Sequence, residues 1–324
     1  MTNSIQTGAQ LDHYLIEGVA ARSGMASIFR ATDLRTGRPV AIKIPHPNME
    51  GDPVLLERFH REEDIGATLD HPWVTKVLPE GNRSRLYIAM EWVAGIPLRQ
   101  LLNQLQPRLS RERAITITLA ICEALDYLHR KGVVHRDLKP ENVMIDAEDH
   151  IKLIDFGLAT SVRARRITFA KASNTMGTPD YISPEQVQGK RGDARSDLYA
   201  LGVMLYEMLT GKVPFTGPNP FAAMNDRLLN NPVPPCELDP TISPQLQEIV
   251  YRALERNPSH RYASARDFAW DLRHQERVGV ADRMELRDWK LRSTPWQKRI
   301  VSWVALALVP IVIFGLLVFV ARLG

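Results

Sequence analysis

Cysteine is nearly absent from this 324-residue chain. Cys122 and Cys236 lie far apart, and neither has a second cysteine or a histidine at metal-ligand spacing. A disulfide framework and a structural zinc site are thereby excluded, and the main domain reads as cytosolic. An apolar N-terminal run is also missing. The start, MTNSIQTGAQ, is polar and carries no basic residue, so it is not a secretory signal. Residues 1–10 are expected to form a disordered lead. Charge of one sign is scarce: 41 Lys and Arg against 37 Asp and Glu leave +4, which does not argue for nucleic acid. No internal repeat is present. Apolar residues at 44% and charged residues at 24% are ordinary for a globular chain with a core of normal size.

Long apolar runs are missing until the C-terminal end. There, Ile300 to Ala321 reads IVSWVALALVPIVIFGLLVFVA without a charge. As a helix that run rises roughly 33 Å, enough to cross a bilayer's hydrocarbon core. A buried helix of the globular part is the alternative, but such a helix shows a polar stripe and this run is apolar all round. Lys290, Arg292, Lys298 and Arg299 precede it, against Arg322 after it. That bias predicts a single-pass span in the cytoplasmic membrane with the N-terminal side in the cytoplasm. Trp296 and Trp303 suit the interface at that end.

Residues 11–93 read as strand-rich. Pro39 to Ile44 (PVAIKI) and Arg85 to Val93 (RLYIAMEWV) are the strand-like runs. Between them, Val54 to Leu69 carries Leu55, Leu56, Phe59, Ile65 and Leu69 among charges, which predicts one amphipathic helix ended by His71-Pro72. From residue 94 the pattern turns helical. Ser110 is placed to cap a helix holding Ile115, Leu119, Cys122, Leu125 and Leu128, and Gly132 to stop it. Leu198 to Leu209 predicts a buried helix. Prolines near 214–220 and 232–240 mark loops, and Leu246 to Leu254 and Ala263 to Leu272 predict closing helices. Residues 276–299 are charged without a core pattern and read as a juxtamembrane linker.

The most informative stretch is His135-Arg136-Asp137-Leu138-Lys139-Pro140-Glu141-Asn142. Asp155-Phe156-Gly157 follows it, preceded by the strand-like His150 to Ile154. Upstream stands Val40-Ala41-Ile42-Lys43, and downstream Ser183-Pro184-Glu185. Each string alone is weak. All four in this order, at these separations, match the lysine strand, catalytic loop, metal-binding triplet and closing triplet of a phosphotransferase site. With Gly24 to Phe29, Arg58 to Glu62 and Gly177 to Tyr181, residues 11–275 resemble the eukaryotic-like (Hanks-type) serine/threonine protein kinases of bacteria.

The resemblance implies an α+β, two-lobed fold: a small β-rich lobe over about 11–93, a helical lobe over about 94–275, and ATP between them. The reaction it implies is transfer of the γ-phosphoryl group of ATP to serine or threonine hydroxyls of proteins. Lys43 would hold the α- and β-phosphates as a point charge. Glu62 is the family-matched partner for Lys43, with the adjacent Glu63 as the alternative. Asp137 would orient the substrate hydroxyl and accept its proton, helped by Lys139. Asn142 and Asp155 would supply oxygens to Mg²⁺, for which Mn²⁺ is the expected substitute. Ala41, Glu91 and Val93 would line the adenine site, with Met90 as gatekeeper. Asp197 would brace the catalytic loop, and Arg261 would pair with Glu185. Arg136 would receive a phosphate placed on Thr168, Ser173 or Thr175, which sit among Arg163, Arg165, Arg166 and Lys171. The bland reading of that segment is an unmodified polar loop.

One motif departs from the family. The phosphate-covering loop should read G-x-G-x-x-G-x-V. With Ile28 at the valine place, the glycine places fall on Ala21, Ser23 and Ala26, and Gly24 alone lies within the loop. A Cβ at those places restricts φ and the approach to phosphate. Weakened nucleotide handling is the expectation, and a pseudokinase or weakly active nucleotide-binding scaffold at the membrane is the alternative function. Only three residues follow the apolar run, so direct external sensing is not expected. A homodimer phosphorylating in trans follows from membrane concentration and not from any motif.

Overall fold

The computed structural model describes residues 5–22, 26–47, 52–79, 81–104, 108–155, 160–161 and 179–281. All features below belong to one compact unit, Met1–Asn230 with Pro234–Val280.

The first lobe is an antiparallel five-stranded sheet in sequential order: β1 (Gln10–Leu11), β2 (Tyr14–Arg22), β3 (Ala26–Asp33), β4 (Pro39–Pro45) and β5 (Ile88–Glu91). Strand β4 lies between β3 and β5 and is buried from Val40 to Pro45, which explains its continuous apolar run. Lys43 sits inside this run and has Ile28 and Ile88 as its cross-strand partners. Tyr14, Ile16, Phe29, Ala31, Val40, Ile42, Ile44, Tyr87 and Ala89 form the core of the sheet's packed face. The register of β2 against β3 shifts twice, between Ile16 and Gly18 and between Val19 and Ala21. Such bulges bend and twist a hairpin toward its tip.

The N-terminal expectation needs correction. From Ile5 the lead is placed: Ile5 packs on the sheet's core, the Gly8 amide donates to the Ile16 carbonyl at 2.8 Å, and Gln10 pairs with Leu15. A short polar lead can be held by a sheet edge's free carbonyls, which composition does not reveal.

Helix α1 (Pro53–Ala67) buries Phe59, Glu62 and Ile65. It stops before the His71-Pro72 pair expected to end it. The Thr68 hydroxyl donates to the Ile65 carbonyl at 2.7 Å and the Leu69 amide to the Gly66 carbonyl, closing the last turn early. A Cβ on Gly66 would lie 2.3 Å from Cγ2 of Val77, a β-branched side chain with little freedom to withdraw. Gly66→Ala is therefore expected to destabilise the chain by roughly 1–3 kcal/mol, readable as a shifted denaturant midpoint.

The second lobe is mostly helical. Helix α2 (Leu98–Gln104) follows the short strand β6 (Ile96–Pro97). Helix α3 (Arg111–Arg130) starts as expected, with the Ser110 hydroxyl accepting from the Arg113 amide at 3.2 Å, and Gly132 turns the chain at φ +73°. Strand β7 (Val133–Val134) leads into the loop of residues 135–142, and β8 (Val143–Ile145) and β9 (Ile151–Leu153) form a hairpin that pairs with β6. Strand β10 (Thr160–Ser161) pairs with β7. After α4 (Pro184–Val187), helix α5 (Ala194–Thr210) is buried from Ser196 to Thr210 and packs on α3 and, through α8 (Pro244–Ala253), on the far side. At Gly202 the closest approach to Ala253 leaves 2.6 Å for an added Cβ. Helix α9 (Ala265–Arg273) packs on α3.

The proline stretch 214–220 is a loop up to Asn219, where α6 (Pro220–Leu229) begins, and the stretch 232–240 contains the one-turn α7 (Pro235–Leu238). In both a proline occupies the first turn, where its missing amide is not needed. Strand β5 is shorter than the run Arg85 to Val93. Among the described residues no helix is long and apolar enough to cross a membrane. The run 300–321 and the linker beyond 281 lie outside the described residues, as do Ser23, Gly24, Thr168, Ser173 and Thr175.

Candidate functional site

The site is assembled from β4, α1, the loop after β7 and the end of β9. Lys43 projects from β4 and is 7% exposed. Its ammonium donates to both carboxylate oxygens of Glu62 at 2.5 and 2.6 Å and to Oδ1 of Asp155 at 3.4 Å. Burial alone would depress this ammonium, but the charges of Asp155 and Glu62 outweigh burial and raise it above its ordinary value. Burial works upward on the Glu62 carboxyl, and the Lys43 charge opposes that rise. The adjacent Glu63 is engaged elsewhere: Arg83 holds it at 2.6 Å and also donates to the Tyr87 carbonyl. Successive helical positions point about 100° apart, so only one of the two glutamates can face β4.

Below Lys43 lies the loop of residues 135–142. Lys139 donates to Asp137 Oδ2 at 2.7 Å. The Asn142 amide donates to the Asp137 carbonyl at 2.7 Å and to its Oδ2 at 3.2 Å. The Asn142 carbonyl accepts from the Ile154 amide at 2.9 Å, which fastens the end of this loop to the segment carrying Asp155. Asp137, Lys139 and Asn142 are thus brought together, and Lys43 and Asp155 meet across the two lobes. The carboxylate of Asp155 is 41% exposed, so it faces the cleft. Arg136 and Asp155 both adopt left-handed backbone, at φ +66° and +67°. For residues with a Cβ this is a strained conformation that the surroundings must enforce.

Asp197 enforces it at Arg136. Its buried carboxylate accepts from the amides of His135 and Arg136 at 2.9 and 2.8 Å and from Nε2 of His129 at 2.8 Å. Burial would raise this carboxyl, yet the His129 contact and the loop amides hold it below the usual aspartate range. Glu185 is bound by Arg261 through two parallel contacts of 2.8 and 2.7 Å and by the Ser196 hydroxyl at 2.7 Å. Arg136 lies near Arg191 and Arg61. Burial and those like charges push its guanidinium down to about 10, still protonated at neutral pH.

The remaining expected site residues line the upper wall. Ala41 is opposite Met90 and Val40 opposite Glu91 in the β4–β5 ladder, with Val93 half-buried just beyond. Met90 is half-buried, not a full core residue. Ala21 pairs with Ile28 near the β2–β3 connection, and Ala26 is 1% exposed. Glu91 is further fixed from behind: its Oε1 accepts from the Lys76 amide at 2.9 Å and from Lys152 Nζ at 2.5 Å.

Sequence reasoning missed His129, Arg83, Lys152 and Arg99. The last lies on α2 and donates to Glu141 and Glu207 across separations of 42 and 108 residues. None sits in a motif, and only the fold brings their partners near.

Residues 22–270 match the family model described as "Protein kinase domain". A probable serine/threonine-protein kinase of Streptomyces coelicolor, SCO3848, is 40% identical over 264 residues, covering 80% of this chain and 39% of that protein. The serine/threonine-protein kinase PknB of Mycolicibacterium smegmatis is 37% identical over 266 residues, covering 81% and 42%. The chain thus spans about two fifths of the length of the curated relatives it matches. The crystal structure of the Mycobacterium tuberculosis PknI kinase domain superposes with a TM-score of 0.66 at 27% identity, covering 84% of this chain and all of that one. The two lobes, the β4 lysine and the 135–142 loop are therefore the architecture of a known family, and this chain belongs to the protein kinases.

Proposed function

We propose that the chain transfers the γ-phosphoryl group of ATP to serine and threonine hydroxyls of proteins. The observation that carries this reading is the convergence of Lys43 and Glu62 from the first lobe with Asp155, Asp137, Lys139 and Asn142 from the second. Phosphoryl transfer asks chiefly for positioning and charge neutralisation, and these groups supply both.

Lys43, aimed by Glu62, would hold the α- and β-phosphates. Asp137 would orient the substrate hydroxyl and take its proton, with Lys139 hydrogen-bonded to its carboxylate and near the transferred group. The donor set fits a hard divalent cation: Asp155 offers a cleft-facing carboxylate and Asn142 a neutral amide oxygen. Bound Mg²⁺, or Mn²⁺ in its place, would neutralise phosphate charge. The backbone of Glu91 and Val93 would take the adenine, with Ala41 on one face and the Ala21, Ser23, Gly24, Ala26 and Ile28 hairpin over the phosphates. Alanines at two glycine places favour slower nucleotide handling. They do not favour the scaffold reading, since Lys43, Asp137 and Asp155 are all present.

Arg136 among Arg61 and Arg191 supports autophosphorylation at Thr168, Ser173 or Thr175, because a phosphate would balance that basic cluster. Incubation with ATP and Mg²⁺ followed by mass spectrometry tests this: phosphate is expected on at least one of the three, and an active chain with all three unmodified contradicts it. The run 300–321 supports a single-pass tether that keeps the kinase domain in the cytoplasm and concentrates copies as homodimers at the bilayer. In cell fractionation the full chain is expected to pellet with membranes and to resist carbonate extraction, whereas residues 1–295 stay in the supernatant.

Glu62→Gln is expected to lower kcat/KM for ATP roughly 100-fold by letting the lysine swing, while Glu63→Gln stays within about threefold because Glu63 faces Arg83. Steady-state kinetics on both variants makes the comparison, and equal losses would reject the assignment of Glu62.

A further inference from the structure

Residues 91–93, which join the lobes, are held by a cation from each of them. Glu91 ends β5, and its Oε1 accepts from Lys152 Nζ, on β9 of the second lobe, at 2.5 Å. The same oxygen accepts from the Lys76 amide at 2.9 Å, and the Glu91 amide donates back to the Lys76 carbonyl at 2.9 Å. Lys76 belongs to a strip of chain shared by both lobes: Val74 bridges to Leu153 of β9, and Val77 bridges to Met90 of β5. Trp92, the next residue, is gripped by the first lobe. The guanidinium of Arg30, on β3, lies 5.2 Å from the centre of its ring. Glu17 of β2 holds Arg30 in turn at 2.8 Å, and the Thr32 hydroxyl donates to the other oxygen of Glu17. Beyond Val93, Gly95 sits so close to β8 that an added Cβ would lie 2.4 Å from the Ile145 carbonyl oxygen.

Glu91 and Trp92 follow one another at the end of β5, where successive side chains leave on opposite sides of the strand. One backbone is thus tied from two sides, which fixes the rotation of its peptide planes about the chain axis. That rotation decides which carbonyl and which amide face the cleft. Adenine offers a donating amino group beside an accepting ring nitrogen. Guanine offers the reverse at the same edge, a carbonyl oxygen beside a ring N–H. A carbonyl and an amide held in one orientation match the first pattern and set like groups against each other in the second.

We infer that Lys152 and Arg30 are positioning residues for the nucleotide base: acting through Glu91 and Trp92, they clamp the connection between the lobes and so set its preference for adenine over guanine. Neither side chain needs to touch the base. The inference rests on the reading that the backbone of Glu91 and Val93 takes adenine. It concerns binding, so it can be judged apart from phosphoryl transfer.

The test measures the affinity of the full chain for ATP and for GTP, each with Mg²⁺, by titration calorimetry. The chains compared are wild type, Lys152→Met, Lys152→Arg, Arg30→Met and the double variant Lys152→Met/Arg30→Met. Wild type is expected to favour ATP. Lys152→Met and Arg30→Met should each cut the ATP-to-GTP affinity ratio roughly threefold, the scale of a part-exposed ion pair or cation–π contact, and the double variant roughly tenfold. Lys152→Arg keeps the cation and should restore most of the ratio. A merely structural role would weaken both nucleotides alike, so a ratio in the double variant within about 1.5-fold of wild type overturns the inference. Equal affinity of wild type for ATP and GTP overturns it as well. A wild-type chain that discriminates between the nucleotides but phosphorylates no protein condemns the phosphotransfer reading and leaves this inference standing. If the Lys152→Met chains fail to fold, as judged by circular dichroism, Arg30→Met decides on the same ratio, since the Arg30 side chain is 51% exposed.

Discussion

Asp137→Asn is expected to leave a folded chain that still binds nucleotide but transfers phosphate about 10²–10⁴-fold more slowly, the range over which a positioned general base contributes. The substitution is isosteric and keeps an oxygen to accept from Lys139 and Asn142. What it removes is the negative charge proposed to align the hydroxyl and accept its proton. Lys43 and Glu62, proposed above to hold the nucleotide, lie on β4 and α1 and make no contact with Asp137. Nucleotide affinity by titration calorimetry should therefore change little while kcat collapses. A parallel loss of both would mean that the loop carrying Asp137 acts through structure and not through its carboxylate.

The largest effect on stability is expected at Arg261→Ala. Arg261 is 3% exposed and Glu185 7%, and their two parallel contacts are reinforced by Ser196 and by the carbonyls of Arg195, Glu255 and Arg256. Truncating the arginine strands a buried carboxylate, a loss on the order of 3–5 kcal/mol. Glu185→Gln with Arg261→Met should be much milder, because no lone charge remains. The pH dependence has a defined sign. Burial opposes ionisation of Glu185, but Arg261 and Ser196 overcome it and hold the carboxyl below its ordinary 4.5. The stabilisation is thus complete above about pH 4.5 and is lost as pH falls through the lower folded value. Chemical denaturation between pH 7 and pH 3 should show wild type losing stability in acid. The double variant should lose less.

Much of the fold was legible because its signals are local. Ser110 and Gly132 bound α3 as their side-chain chemistry requires, and the apolar run Leu198 to Leu209 became the most buried helix. Lys43, Asp137, Asn142 and Asp155 could be picked out because a phosphotransferase site needs these residue types at set intervals along the chain. The choice of Glu62 over Glu63 as the contact of Lys43 depended on helix phase relative to β4, and the ion pairs of the structure display it. The early end of α1 was hidden because Thr68 can close a helix as well as a His-Pro pair can. The helices at Pro220 and Pro235 were hidden because a proline marks a helix start as readily as a loop. Arg99 was out of reach altogether. Its partners are distant in sequence, and an arginine on a short helix reads as solvated charge until Glu207 and Tyr181 are brought beneath it.

The account's central claim is phosphotransfer to hydroxyl side chains, and label from [γ-³²P]ATP tests it most directly. Full-length wild-type chain with Mg²⁺ and a generic basic protein should place acid-stable label on serine and threonine, with none on tyrosine by phosphoamino-acid analysis and a rate of labelling about 10²–10⁴-fold lower for Asp137→Asn. Absence of protein-bound label from wild type with both Mg²⁺ and Mn²⁺, in a chain shown to be folded, would contradict the account.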